Sequence, residues 1–145
     1  MKQKPAKDIV LDTNVIRLYD KPKDPVIAQL FAWLVSSGTL AVSQKLVNEY
    51  YGTGNRQVAA LLLFLGREVR LQRISTSAIS KFASDRHYQY TCNYKDRDHA
   101  RLTFLSTRKK LVSFDGKLVK DVNGFRKVGG KQPAASKSPA ADFYR

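Results

Sequence analysis

Cysteine is all but absent from this chain. Cys92 stands alone among 145 residues, so an internal disulfide and a multi-cysteine zinc site are both excluded. Histidine is nearly as scarce: His87 and His99 are too few, and too irregularly spaced, for a recognisable histidine–metal motif. Long apolar runs are missing as well. None approaches the roughly 20 residues that span a bilayer, and the opening MKQKPAKD has no apolar middle of the kind a secretory signal requires. Together these shortages predict a cytoplasmic protein with no membrane segment. The remaining shortage is of acid: 12 Asp and Glu face 26 Lys and Arg, a formal net charge of +14. That excess predicts a polyanionic partner, nucleic acid, held through its phosphates; the plainer alternative is that the charge only confers solubility. A hydrophobic content of 43% supports a real core, and the length suits one domain.

What is present alternates between two patterns. DIVLD (residues 8–12), TLAVS (39–43) and KLVSF (110–114) read as short strands, with VRLQRIS (69–75) a weaker one. Between them lie helical segments. Asp24 before Pro25 starts one that carries Ile27, Leu30, Phe31 and Leu34 on a single stripe and ends at Gly38. QKLVNEYYG forms a second, and NRQVAALLLFLGRE, capped by Asn55, a third. STSAISKFASDRHYQY and KDRDHARLTFLSTRK are predicted as helices throughout, and Asp115 to Val122 as a last short helix or loop. This alternation argues for an α/β fold: one domain over 1–128, its central parallel sheet flanked by helices on both faces. From Gly129 the chain is rich in Gly, Pro, Ala and Ser, which predicts a flexible tail over 129–145.

Four carboxylates fall at telling places. Ligands of open α/β sheets bind beyond the carboxyl ends of the strands, and Asp12 and Asp115 each follow a strand. Glu49 lies on the helix after the second strand, and Asp98 in the first turn of a later helix. Taken singly, each has an ordinary use as a cap, a turn residue or a solvated acid. Together they would repel unless a cation neutralised them. Mg²⁺ or Mn²⁺ answers that need with oxygen ligands, and binds phosphoryl oxygens as well.

The stretches IVLDTNV, VSQKLVNEY, DRDHARLTFL and KLVSFDGKLV, in this order, resemble the PIN-domain family of metal-dependent nucleases, and in length the chain is similar to its small VapC-type toxins. The resemblance covers residues 8 to about 122. It implies a metal-dependent endoribonuclease, possible pairing with an antitoxin protein, and Asp12, Glu49, Asp98 and Asp115 as catalytic metal ligands. Asn14 and Ser113 would orient those carboxylates. Asp96 rivals Asp98. In a helix starting near Lys95 the two lie about 200° apart. Leu102 and Leu105 continue an apolar stripe from the side of Asp98, so Asp98 is expected at the sheet and Asp96 in solvent.

Arg97, Arg101 and Tyr94 are the expected RNA contacts, guanidinium groups for phosphate and a ring for an unstacked base. The apolar segments DPVIAQLFAWLV and VAALLLFLG predict a homodimer. Two other functions fit the composition: a catalytically silent nucleic-acid-binding module or RNA-processing factor of the same fold, and a basic structural protein whose acids only cap elements.

Overall fold

The computed structural model describes residues 6–145. The start of the basic lead, which the sequence assigns to the domain, lies outside them.

Branched and aliphatic residues build the centre. The strands β1 (Asp8–Leu11), β2 (Thr39–Val42), β3 (Leu71–Arg73), β4 (Lys110–Val112) and β5 (Ala134–Ser136) form one parallel sheet in the order β3-β2-β1-β4-β5. β1, in the middle, is buried along its whole length, as a strand covered on both faces must be. The helices are α1 (Thr13–Ile16), α2 (Pro25–Ser36), α3 (Gln44–Gly52), α4 (Arg56–Arg67), α5 (Thr76–Ser80), α6 (Arg97–Leu105), α7 (Gly116–Gly124) and α8 (Ala141–Tyr144). They flank the sheet and leave a single α/β domain. Helix starts follow the sequence closely because caps fix them: Asp24, Ser43 and Asn55 each accept backbone N–H bonds at the heads of α2, α3 and α4.

Two segments depart from expectation. The helix predicted over STSAISKFASDRHYQY stops at Ser80. Beyond it the chain is drawn into loops by distant partners: buried Asp85 accepts a hydrogen bond from Arg101 Nε at 2.7 Å and one from the Tyr90 hydroxyl, which burial and that carboxylate hold well above the usual tyrosine range. Tyr88 donates to the Asp121 carbonyl at 2.7 Å. The following helix is shorter too, a 3-10 turn at Tyr94–Asp96 and then α6 only to Leu105. It ends because Asp8 accepts the backbone N–H groups of Thr107 at 2.7 Å and Arg108 at 3.1 Å, and Lys109 then takes a positive φ of 58°.

The tail expected to be flexible is part of the sheet. β5 pairs in parallel with β4, register Leu111↔Ala135. Its small residues have little side chain to bury, so composition conceals a strand held through its backbone. On the outer edge the Asn123 amide replaces a neighbouring strand: Ala135 N–H donates to Asn123 Oδ1 at 2.7 Å, and Asn123 Nδ2 donates to the Ala135 carbonyl at 3.1 Å. The end of α8 is pinned by Arg108, whose Nη2 donates to the Tyr144 carbonyl at 2.7 Å, and by Tyr144 packing on Trp33 with ring centroids 5.0 Å apart. Ile27, Leu30, Phe31, Trp33 and Leu34 are all buried, so α2 leaves little apolar surface for a second copy. On α4, Leu63 and Phe64 do stay exposed.

Val69 follows α4 in the left-handed region, φ 57°, with 89% of its surface exposed. Val69 N–H bonds the Gly66 carbonyl and Arg70 N–H the Leu65 carbonyl, a helix stop that glycine serves best. A β-branched residue there carries strain of about 1–2 kcal/mol, and glycine gives back part of that in chain entropy. Val69→Gly is therefore expected to stabilise the protein by about 0.5–1 kcal/mol, read as a rise of about 1–4 °C in Tm. An unchanged or lower Tm would show that the exposed valine is not strained.

Candidate active site

Strand order reverses direction between β1 and β4: from β1 the sheet grows to β2 and β3 on one side, to β4 and β5 on the other. Such a switch point leaves a crevice at the carboxyl ends of the two strands. Asp12 follows β1 and Ser113 follows β4. Asp12 caps α1, its Oδ1 accepting the Thr13 N–H at 2.8 Å. Its Oδ2 accepts the hydroxyl of fully buried Ser113 at 2.6 Å. The same Ser113 oxygen accepts the Asp115 N–H at 3.0 Å, so one hydroxyl joins the two strand-end turns. Asp115 caps α7 through Lys117 N–H. Asn14 reaches across as well, accepting the Phe114 N–H at 3.3 Å. It braces the turn after β4 rather than a carboxylate.

Glu49 meets Asp12 from α3. Its Oε1 accepts the Thr13 hydroxyl at 3.0 Å, and its Oε2 lies 2.9 Å from His99 Nε2. Burial raises the Glu49 carboxyl, but hydrogen bonds from His99 and Thr13 and the charges of His99 and Lys45 outweigh it, so the group sits below the usual glutamate range. Asp12, Glu49 and His99 each offer a ligand atom, and these atoms lie within 4.8 Å of one another. His99 is fully buried on α6.

Two acids lie near the start of α6, Asp96 and Asp98. Asp98 turns to cations, with Lys45 Nζ 3.4 Å from its Oδ2 and Arg101 Nη1 3.6 Å from its Oδ1. Asp96 lies on the 3-10 turn before α6. Burial raises its carboxyl first; the charges of Asp12, Asp115 and Glu49 push the same way, against the pull of His99. An α-helix is expected from Lys95, whereas Asp96 ends a 3-10 turn and α6 begins one residue later, so the angle between 96 and 98 is not that of one continuous α-helix.

The expected RNA contacts divide. Arg101 is engaged by Asp85 and Asp98. The Arg97 guanidinium lies between two rings, 5.3 Å from the centroid of Tyr90 and 5.2 Å from that of Tyr94. Tyr94 is 78% exposed. Lys45, Lys95, Arg97 and Arg101 line a small cavity of about 110 Å³ beside Asp98. Thr13 and His99 escape the sequence reading. Thr13 was readable from its place after Asp12. His99 offers no spacing signal, since its partner Glu49 is 50 residues away.

The chain matches no protein-family model, and no curated protein matches it. Solved structures do match. One is a chain of the crystal structure of VapBC2 from Rickettsia felis bound to a DNA fragment from their promoter, with 16% identity and a TM-score of 0.50, covering 88% of this chain and 98% of that one. At that identity the likeness is one of fold. Among the described residues no helix is long and apolar enough to cross a membrane.

Proposed function

We propose that this protein is a metal-dependent endoribonuclease of the PIN-domain type, hydrolysing RNA phosphodiester bonds, and that it acts as the toxin of a toxin–antitoxin pair. The observation that carries this reading is the meeting of Asp12, Glu49 and His99 at the switch point of the sheet. The fold likeness to VapBC2 supports it and points to an antitoxin protein as partner. The donor set fits Mg²⁺ or Mn²⁺: carboxylate oxygens with the charge of Asp96 and Asp115 nearby. Such a cation neutralises the acids when bound and acts as a Lewis acid at phosphate.

The protein's own groups do the positioning. Asp12 and Glu49 would hold the cation. Ser113 and Thr13 fix the rotamers of those two carboxylates, each through one hydrogen bond. Asp115 and Asp96 complete the negative field. The stacked Arg97 and exposed Tyr94 receive backbone phosphate and an unstacked base beside it. Homodimerisation belongs to the same reading, through the exposed Leu63 and Phe64 on α4.

Cleavage of RNA by two variants side by side tests the site. Asp96→Asn is expected to lower the single-turnover rate by about 10²-fold, as loss of a charge aimed at the reacting centre does. Asp98→Asn should lose about 10-fold or less, since its carboxylate neutralises Lys45 and Arg101. The opposite order would return the third acid to Asp98.

A further inference from the structure

The resemblance to known nucleases implies oxygen ligands only, yet the cluster contains an imidazole. We propose that His99 Nε2 is itself a ligand of the cation, making the set mixed oxygen and nitrogen and directing the site to Mn²⁺ over Mg²⁺. The inference rests on the function proposed above.

Three observations carry it. The first is spacing. Ligand atoms about 2.2 Å from one ion lie about 3 Å apart when adjacent and about 4.4 Å apart when opposite. His99 Nε2 and Glu49 Oε2 are 2.9 Å apart, already at the adjacent separation. With Asp12 the ligand atoms of the whole group lie within 4.8 Å of one another, near the opposite separation. The second is fixation. His99 is fully buried in the first turn of α6, where its carbonyl accepts the Thr103 hydroxyl at 2.9 Å. Its Nδ1 is also buried and has no hydrogen-bond partner among the described residues. The ring's polar contact is thus made at Nε2, toward Glu49; when Nε2 coordinates the cation, the ring proton moves to Nδ1. The third is the neighbour: Asp98 is engaged by Lys45 and Arg101, so α6 presents nitrogen, not oxygen, to the cluster.

The chemical consequence is selectivity. Mg²⁺ favours oxygen and near-ideal octahedral shells, whereas Mn²⁺ and later first-row ions accept imidazole readily. An imidazole that coordinates a cation does so uncharged, and so adds no negative charge to attract Mg²⁺. The rival role for His99 is positioning alone, as a donor that holds Glu49.

The test is Mn²⁺ binding to untagged protein, by titration calorimetry and by pulsed EPR. The wild-type protein should bind Mn²⁺ at least about 10-fold more tightly than Mg²⁺ and show ¹⁴N modulation from a bound imidazole. In His99→Gln the side-chain amide can still donate to Glu49. That variant should keep its thermal stability, lose the nitrogen modulation and bind Mn²⁺ about 10–100-fold more weakly. If His99→Gln fails to fold, the wild-type spectrum decides alone. Mn²⁺ bound without nitrogen modulation overturns the inference and leaves the nuclease reading standing. Modulation that survives in His99→Gln does the same, because it implicates His87. No binding of either ion at millimolar concentration overturns both.

Discussion

Asp12→Asn is expected to reduce metal-dependent RNA cleavage by at least about 10²–10³-fold while leaving the fold intact. The asparagine side chain has the size of aspartate, and its oxygen can still accept the Thr13 N–H or the Ser113 hydroxyl. What disappears is the negative charge at the end of β1, where the other carboxylates converge. Loss of one preorganised electrostatic group in a catalytic centre has about this effect on rate. Stability should hold or rise slightly, because one of several mutually repelling acids has gone. Single-turnover cleavage and a thermal melt read the two quantities separately. Activity within about 10-fold of wild type would reduce Asp12 to a helix cap.

Asp121→Ala should be the most destabilising change of a single acid away from the crevice, by about 3 kcal/mol, or about 6–12 °C in Tm. Asp121 is 1% exposed on α7. Its carboxylate accepts the Thr91 N–H at 2.9 and 3.0 Å, the Thr91 hydroxyl at 2.8 Å and the buried Cys92 N–H at 2.8 Å. Burial raises this carboxyl, but those donors more than compensate and hold it below the usual aspartate range. They also explain the inert cysteine: burial, and then the Asp121 carboxylate, push the Cys92 thiol up to about 12. A carboxyl lowered on folding stabilises above its unfolded value, near 3.9, and the contribution fades as pH falls through the folded value. The Tm gap between wild type and Asp121→Ala should thus be full at pH 6–7 and narrow below about pH 4. A gap independent of pH would mean that packing, not charge, is lost. The same bonds fix the loop leading into the 3-10 turn of Asp96, so the variant should lose activity as well.

The sheet was legible in the sequence where strands are made of branched residues. IVL and LAV can be read directly because both faces of a central parallel strand are apolar. β5 was not legible, since Ala134, Ala135 and Ser136 carry no such pattern and rely on β4 and on the Asn123 amide for their pairing. The crevice was partly legible. Asp12, Ser113 and Asp115 sit beside strand ends, and strand ends are visible. The side chains that complete it depend on helix phase and on partners far away in the chain. The choice between Asp96 and Asp98 depends on the 3-10 turn that precedes α6, because a shift of one residue turns a side chain by about 100°. His99 looked like one of two isolated histidines until folding set it against Glu49.

The central claim is that the crevice between β1 and β4 is a metal-dependent ribonuclease centre. Its most direct measurement is the fate of purified total RNA incubated with the wild-type protein in Mn²⁺, in Mg²⁺ and with chelator, Asp12→Asn serving as control. Discrete fragments are expected with Mn²⁺, fewer with Mg²⁺, and none with chelator or with the variant. RNA left whole by folded wild-type protein in both metals, or cut equally well by Asp12→Asn, would contradict it.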